Sequence, residues 1–280
     1  MMAFDHRLHF TALGHSRPTV VAIPGGPGLG RQSFLPWLEP LAEARRLVLL
    51  DPRGCGESPA GDEDSELGLA AWVADVEQLR RELGEERLVL LGHSAGGHVA
   101  LEYAMRHPDR LAGLVLVNSS PAFAVSPEDL ARMRAGLGEA AWPHFERVLA
   151  LQAVDDAELN QAARRVFPLE LVRREPERVA RMLDGFALRL APFRRGLETL
   201  AGWSVAEQLA QLQVPTLVVA GAEDWFLPPA QSAAAFAALP DVEVALFEQC
   251  GHLAFVDQPE RFVATVGNWL ARRFPAEPPA

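Results

Sequence analysis

The sequence predicts an α/β protein in which helices cover both faces of a mostly parallel β-sheet and a helical segment is inserted into the chain. Short apolar runs alternate with helical patterns up to residue 120, at the spacing of strand–helix–strand units, and the alternation resumes at Val214. Between these two parts, residues 121–203 have helical patterns and contain no convincing strand. We therefore expect a core domain formed by residues 1–120 and 204–280, and a helical cap formed by residues 121–203.

Seven strands are predicted from the hydrophobic pattern. The first is an antiparallel edge strand, because Leu8, Phe10 and Ala12 alternate with polar residues. The others are mostly apolar runs, as expected for strands buried in a parallel sheet. They cover residues 19–23, 46–50, 88–91, 114–117, 216–220 and 242–247.

The core helices are predicted from apolar residues that recur at helical spacing. The clearest covers residues 69–83, where Trp72, Val76, Leu79 and Leu83 share one face. Further helices are predicted over residues 35–42, 99–107, 229–239 and 259–273.

The composition narrows the range of partners and chemistry. The 280 residues carry a formal charge of −11, which argues against nucleic acid and against anionic membrane surfaces as partners. All 26 basic residues are arginines, so Schiff-base lysine chemistry and a P-loop lysine are excluded. Two cysteines are too few for a disulfide framework. With no signal peptide expected at residues 1–7 and no apolar run of membrane-spanning length, we expect a cytoplasmic protein.

A strand, a sharp turn and a helix surround Ser94. The turn Gly92-His93-Ser94-Ala95-Gly96 fits the pattern G-x-S-x-G between the strand at 88–91 and the following helix. Such a turn lifts the serine hydroxyl above the sheet edge, and the first helical amides point to where an oxyanion would form. The alternative is a glycine-rich turn with an incidental serine. The flanking elements favour Ser94 as a nucleophile.

An activated serine needs a base and an orienting acid. Of the eight histidines, only His252 follows the last strands, which makes it the candidate base. Glu223 and Asp224 both follow the preceding strand, and the pattern Gly-x-x-Asp favours Asp224. Asn118, after the strand before that, cannot supply a charge. His93 and His98 lie close to the serine in sequence, and we interpret both as packing groups.

Two loops end early strands of the sheet. Residues 24–28 are rich in glycine and proline and lie where a serine hydrolase takes its second oxyanion donor. The other loop begins at Asp51-Pro52-Arg53. We expect an ion pair between Asp51 and Arg53 to lock that loop.

Taken together, these residues resemble the α/β-hydrolase superfamily over nearly the whole chain. Two signatures, Gly25-Gly26-Pro27-Gly28 and the D-x-R-G-x-G-x-S pattern of residues 51–58, resemble the proline iminopeptidase family of serine peptidases. The resemblance implies a catalytic triad and an oxyanion hole. The triad is Ser94, Asp224 and His252, and the oxyanion hole is formed by the backbone amides of Gly26 and Ala95.

The chain departs from that family at three points. Pro24 replaces the usual histidine, and Gly92-His93-Ser94-Ala95-Gly96 replaces G-G-S-W-G and is closer to esterases. Trp225, which we assign to substrate binding, follows Asp224 where a carboxylate would be expected. The family's cap also supplies acidic groups for the substrate's free amine. The candidates here are Glu170, Glu175, Glu177 and Asp184.

The function expected is that of a serine hydrolase that needs neither cofactor nor metal and acts on a small molecule or short peptide. The first hypothesis is a proline iminopeptidase-like aminopeptidase that releases N-terminal residues from small peptides. The second is a carboxylesterase or other small-acyl hydrolase on the same triad. The third is a non-catalytic ligand-binding protein with this fold, and an intact Ser, Asp and His in the right order argues against it.

Overall fold

The computed structural model describes residues 8–61 and 66–275. The expectation of no signal peptide concerns residues 1–7, outside this range. Within it, seven strands form one sheet in the order β1-β3-β2-β4-β5-β6-β7. Only β1 runs antiparallel to its neighbour. The strands are β1 (Phe10–Leu13), β2 (Val20–Ile23), β3 (Leu47–Leu50), β4 (Leu88–His93), β5 (Leu111–Val117), β6 (Thr216–Gly221) and β7 (Val242–Phe247).

Nine α-helices accompany the sheet in the described residues. They are α1 (Leu69–Glu82), α2 (Ala95–Arg106), α3 (Pro127–Leu149), α4 (Asp156–Val166), α5 (Pro176–Gly185), α6 (Leu190–Leu200), α7 (Pro229–Ser232), α8 (Ala254–Asp257) and α9 (Pro259–Arg273). The predicted fold class is therefore confirmed.

Both faces of the sheet are buried, because successive side chains of a strand point to opposite sides. In β2, Val20 and Ala22 join the cluster that contains Trp269 of α9, whereas Val21 and Ile23 join the cluster formed with α1 and α2. All four strand residues are at most 1% exposed. Two apolar layers thus enclose the central strands, as a parallel sheet requires.

Two predicted helices are wrong in detail. Residues 35–42 form no α-helix. One short 3-10 helix, Arg31–Phe34, precedes this span, and another, Glu39–Glu43, overlaps its second half. Pro36 lies inside the predicted span, where it lacks an N–H and disfavours helical backbone at the preceding residue. The helix predicted over 229–239 reduces to α7 and a 3-10 turn, Ala234–Phe236. After this break, Phe236 is fully buried in the core.

The predicted ion pair between Asp51 and Arg53 is also wrong. Asp51 pairs with Arg31 and accepts the N–H of Glu57 at 2.9 Å. Arg53 pairs instead with Asp75 of α1, at 2.5 Å between Nη2 and Oδ1. Both partners are distant in sequence, so folding supplies them and local spacing does not. The loop is still fixed at both charged residues, as the sequence suggested.

The chain leaves and re-enters the core through two adjacent extended segments. The Phe123 N–H donates to Trp203 O at 2.8 Å, and the Val205 N–H donates to Pro121 O at 2.8 Å. Helices α3 to α6 lie between these segments, and α3 is kinked at Gly138, where φ is 73°. We propose that residues 121–203 form a cap distinct from the core, with its neck at these paired segments.

Candidate active site

Ser94 lies on a sharp turn between β4 and α2. Its backbone has φ 50° and ψ −120°, a conformation that costs energy for any residue except glycine. The turn is possible because its neighbours are glycines. A Cβ on Gly96 would lie 2.2 Å from Ile23 O, and one on Gly92 would lie 2.5 Å from Gly96 O. The close approach of strand and helix therefore requires both glycines and holds Ser94 at the carboxyl edge of the sheet.

The structure brings the three predicted residues Ser94, His252 and Asp224 into one hydrogen-bonded chain. His252 Nε2 lies 3.0 Å from Ser94 Oγ, and His252 Nδ1 lies 2.8 Å from Asp224 Oδ2. All three side chains are at least nine-tenths buried. Ser94 follows β4, Asp224 follows β6 and His252 follows β7, so parallel strands deliver them to the same edge. Glu223, the competing acid, is exposed.

Asp224 accepts four hydrogen bonds. Oδ2 receives His252 Nδ1 and, at 3.0 Å, Asn118 Nδ2. Oδ1 receives the backbone N–H groups of Phe226 and Leu227, each at 2.9 Å. The same Asn118 amide also donates to Gly251 O at 3.2 Å. Asn118 thus ties the acid to the loop that carries the histidine, a role that sequence reasoning missed.

These contacts set the tautomer of His252. Nδ1 carries the proton that Asp224 accepts, so Nε2 of the neutral ring is free to accept the hydroxyl proton of Ser94. Burial lowers the pKa of His252, whereas the charge of Asp224 and the hydrogen bond to it raise this pKa. The net shift is upward. The arrangement suits a base that takes up a proton during reaction.

The loop of His252 is anchored from two sides. Its backbone N–H donates to Glu170 O at 2.9 Å, which joins it to the segment before α5. The fully buried carboxylate of Asp257 accepts the N–H of Gly251 at 2.8 Å and the N–H of Arg173 at 2.9 Å. The candidate base is therefore held by backbone contacts to residues of the proposed cap.

His93 and His98 are packing groups, as expected from sequence. His93 Nε2 donates to His252 O at 3.0 Å, and burial together with the neighbouring His252 lowers the pKa of His93 to about 3. His98 Nε2 lies 3.3 Å from the Oγ of Ser120, whose hydroxyl donates to Ala122 O. The imidazole is therefore the donor to Ser120, and burial lowers the pKa of His98 to about 3. Neither histidine contacts Ser94 Oγ in the described hydrogen bonds.

The predicted oxyanion donors lie beside Ser94. Ala95 is the first residue of α2, so its N–H has no carbonyl partner within the helix. Gly26 has φ +112°, a conformation that favours glycine. Gly26 and Ala95 border the same cavity as the serine hydroxyl.

A cavity of about 420 Å³ lies between Ser94 and helices of the proposed cap. Its wall is mostly apolar and includes Phe226, whose ring centroid is 5.0 Å from that of His252. The assignment of Trp225 to substrate binding is not supported, because Trp225 is not part of this wall. Its Nε1 donates to Leu169 O at 3.0 Å, which turns the indole away from the cavity. The same loop places Phe226, the residue after Trp225, on the cavity wall instead.

Only one of the four carboxylates proposed for an amine lines the cavity. Glu170 does so and is buried, whereas Glu175, Glu177 and Asp184 are exposed. Burial raises the pKa of Glu170 to about 7, His252 opposes this shift and Asp224 adds to it. The choice depends on tertiary structure, so sequence alone left it open.

No three His, Cys, Asp or Glu side chains cluster as metal ligands in residues 8–61 and 66–275. Over the same ranges, none of the helices has the length and apolarity needed to cross a membrane.

A parallel sheet that carries a serine on a strand–turn–helix elbow defines the class of α/β-hydrolases. The family profile described as the alpha/beta hydrolase fold matches residues 18–259, and the chain belongs to this family.

Relatives within the family carry different activities in their names. The chain is 28% identical over 266 residues to a proline iminopeptidase of Lactobacillus helveticus (strain DPC 4571), covering 91% of this chain and 90% of the relative. It is 30% identical over 275 residues to 2-hydroxy-6-oxononadienedioate/2-hydroxy-6-oxononatrienedioate hydrolase 2 of Pseudomonas putida, covering 95% and 92%. A thermophilic esterase from Thermogutta terrifontis superposes with a TM-score of 0.76 at 26% identity, covering 95% and 93%. These names support hydrolase activity and leave the substrate open.

Proposed function

We propose that the protein is a serine hydrolase in which Ser94 is the nucleophile, His252 the general base and Asp224 the orienting acid. The observation that carries the proposal is the continuous hydrogen-bonded chain from Ser94 Oγ through the imidazole to Asp224. A non-catalytic binding protein has no need of a buried, fully connected triad beneath a strained serine. The proposed substrate is a small molecule or short peptide.

The geometry suggests the following sequence of steps. Ser94 Oγ attacks the scissile carbonyl while His252 Nε2 takes its proton, and the N–H groups of Gly26 and Ala95 stabilise the oxyanion. The imidazolium, stabilised by Asp224, then protonates the leaving group as the carbonyl–leaving-group bond breaks. Water attacks the acyl-enzyme with the same base and releases the acid. A donor in an oxyanion hole contributes about 10²–10³ in kcat in a well-studied serine protease.

For the substrate, we propose first an aminopeptidase similar to the proline iminopeptidases. Support comes from the relatives of that name and from Glu170, the buried carboxyl group of the cavity that can pair with a substrate amine. The other carboxylate on the wall, Asp129, is already bound by Arg132 and Gln231. A cationic amine beside Glu170 would favour ionisation of that carboxyl, and the buried charges would then neutralise each other.

The second candidate is a carboxylesterase on the same triad. The observation that favours it is the cavity wall, which is mostly hydrocarbon and where Glu170 has a raised pKa and remains partly protonated near neutral pH. A neutral acyl group would fit this wall without any ionic partner. The cytoplasmic location expected from the sequence stays a prediction under either candidate.

The test of the serine hydrolase is labelling with a fluorophosphonate probe, with the labelled residue identified by mass spectrometry. We expect label on Ser94, and Ser94→Ala should lose both the label and several orders of magnitude in turnover while remaining folded. Label on another residue, or normal turnover by Ser94→Ala, would overturn the assignment.

Three kinds of substrate separate peptidase from esterase. An aminopeptidase should cleave proline-arylamide and reject its N-acetylated form, and Glu170→Gln should lower this activity while Glu177→Gln, an exposed control, should not. Equal cleavage of both arylamides, or fast cleavage of p-nitrophenyl esters with neither arylamide cleaved, would favour the esterase.

A further inference from the structure

The cavity at Ser94 continues to the wall formed by helices α3 and α4. At one end it is lined by Ser94, Ala95 and His252. The wall also includes apolar side chains from the end of α3, from α4 and from the turn that follows, namely Val148, Leu149, Ala163, Val166 and Phe167. The triad therefore opens onto a hydrocarbon-lined space that the proposed chemistry does not itself require.

This space is larger than a prolyl group needs. With a water-sized group occupying about 30 Å³, a cavity of about 420 Å³ has room for roughly fourteen such groups. A prolyl group fills only about half of that. After the scissile carbonyl and its immediate neighbours are placed, space for a chain of roughly eight carbons remains.

The charges on the cavity wall disfavour a substrate that carries a carboxylate at its far end. No arginine lines the cavity in the described residues, and the chain has no lysine. The carboxyl groups on the wall, Asp129 and Glu170, would repel a substrate carboxylate. The Pseudomonas putida relative is named for dioates, which carry a second carboxylate. A buried carboxylate without a cationic partner costs several kcal/mol, so this cavity disfavours a substrate with a second carboxylate.

We propose that the part of the cavity lined by α3 and α4 binds an uncharged hydrocarbon tail of about six to eight carbons, attached to the group that Ser94 cleaves. The proposal rests on the serine hydrolase function proposed above and specifies the substrate class of its second candidate, the carboxylesterase. The tail belongs to the acyl part or to the alcohol part of an ester, and both offer the same apolar chemistry to the wall.

The experiment uses two series of esters, each from two to twelve carbons. In the first series, p-nitrophenyl alkanoates, the acyl chain varies. In the second series, alkyl acetates, the alcohol varies, and hydrolysis is measured by the release of acid. In the series that enters the space, kcat/KM should rise by up to about fourfold per added methylene to about eight carbons, and then level off or fall.

Substitutions at Ala163 test whether the hydrocarbon tail lies against α4. Ala163 is 5% exposed and lines the cavity, so Ala163→Phe should move the preference to shorter chains and Ala163→Val should have an intermediate effect. The control is Ala157→Phe, on the exposed side of the same helix, which should leave the profile unchanged. The thermal unfolding midpoint of each variant is measured in parallel.

The outcomes separate this proposal from the function on which it rests. A flat or falling profile in both series, or a folded Ala163→Val with unchanged chain-length dependence, overturns the proposal while label on Ser94 persists. Absence of label on Ser94 together with no hydrolysis of any ester or arylamide overturns the serine hydrolase function itself.

Discussion

Asp224→Asn replaces one carboxylate oxygen with an amide NH₂ at a site where both oxygens accept two donors. At Oδ1 the donors are the backbone N–H groups of Phe226 and Leu227, which have a fixed direction. At Oδ2 the donors are His252 Nδ1 and Asn118 Nδ2, and both of these side chains can change their hydrogen-bonding pattern. The new NH₂ therefore occupies the Oδ2 position.

The consequence falls on His252. With an NH₂ opposite, Nδ1 must become an acceptor, so the neutral ring carries its proton on Nε2. That nitrogen then faces Ser94 Oγ as a donor and cannot accept the serine proton. The substitution removes the stabilising charge and also selects the wrong tautomer. Asn118 Oδ1 is buried and has no hydrogen-bond partner among the residues that the structure describes, so it becomes available to the new amide if the Asn118 side chain flips.

We expect kcat to fall about 10⁴-fold, the size of the loss when the triad aspartate of a serine protease is replaced in the same way. That corresponds to about 5.4 kcal/mol at 1.36 kcal/mol per factor of ten. The assay is hydrolysis of a p-nitrophenyl ester under saturating conditions, with thermal unfolding measured on the same preparation.

The matched control is Glu223→Gln, which makes the same chemical change at the adjacent exposed residue and should leave kcat within about twofold. A folded Asp224→Asn protein that keeps more than a tenth of the activity would refute the tautomer argument. A large loss in Glu223→Gln would instead point to the competing acid.

Two further predictions follow from the same region. Because the neutral form of His252 is the base and its pKa is raised, kcat/KM should fall on acidification with a midpoint above 6.5, the ordinary imidazole value. The acidic limb should persist in Glu170→Gln with its midpoint shifted downward, because the charge of Glu170 also raises the pKa of His252. A limb that vanished in this variant would belong to Glu170. Gly96→Ala should destabilise the fold by about 1–3 kcal/mol or more, because its Cβ would meet Ile23 O at 2.2 Å. Gly267→Ala in α9, where a Cβ meets nothing within 4 Å, should be neutral or stabilising by up to about 1 kcal/mol in urea unfolding.

The residues that chain order and strand ends determine were predictable. Ser94, Asp224 and His252 follow three different parallel strands, and such strands bring their carboxyl ends together whatever the loops do. Short apolar runs located β2 to β6 to within a few residues because burial on both faces leaves a strong hydrophobic signal, whereas alternation located the edge strand β1.

Several predictions failed because they concern contacts between segments that are distant in sequence. The partner of Asp51 is Arg31 and that of Arg53 is Asp75, and no local spacing encodes either pair. Trp225 donates its indole N–H to Leu169 O and packs against α3 at Gly136, whereas Phe226 lines the cavity. Pro36 and Pro40 were local signals against a helix over residues 35–42, and a helical hydrophobic pattern masked them.

The backbone hydrogen bond from His252 to Glu170 limits how the protein can be redesigned. Segment 170–173 is tied to the His252 loop through that bond and through Asp257, which accepts N–H groups from both segments. Grafting the helices of a relative onto this core would therefore have to retain residues 170–173 in register with Asp257. An insertion or deletion there would displace the imidazole directly.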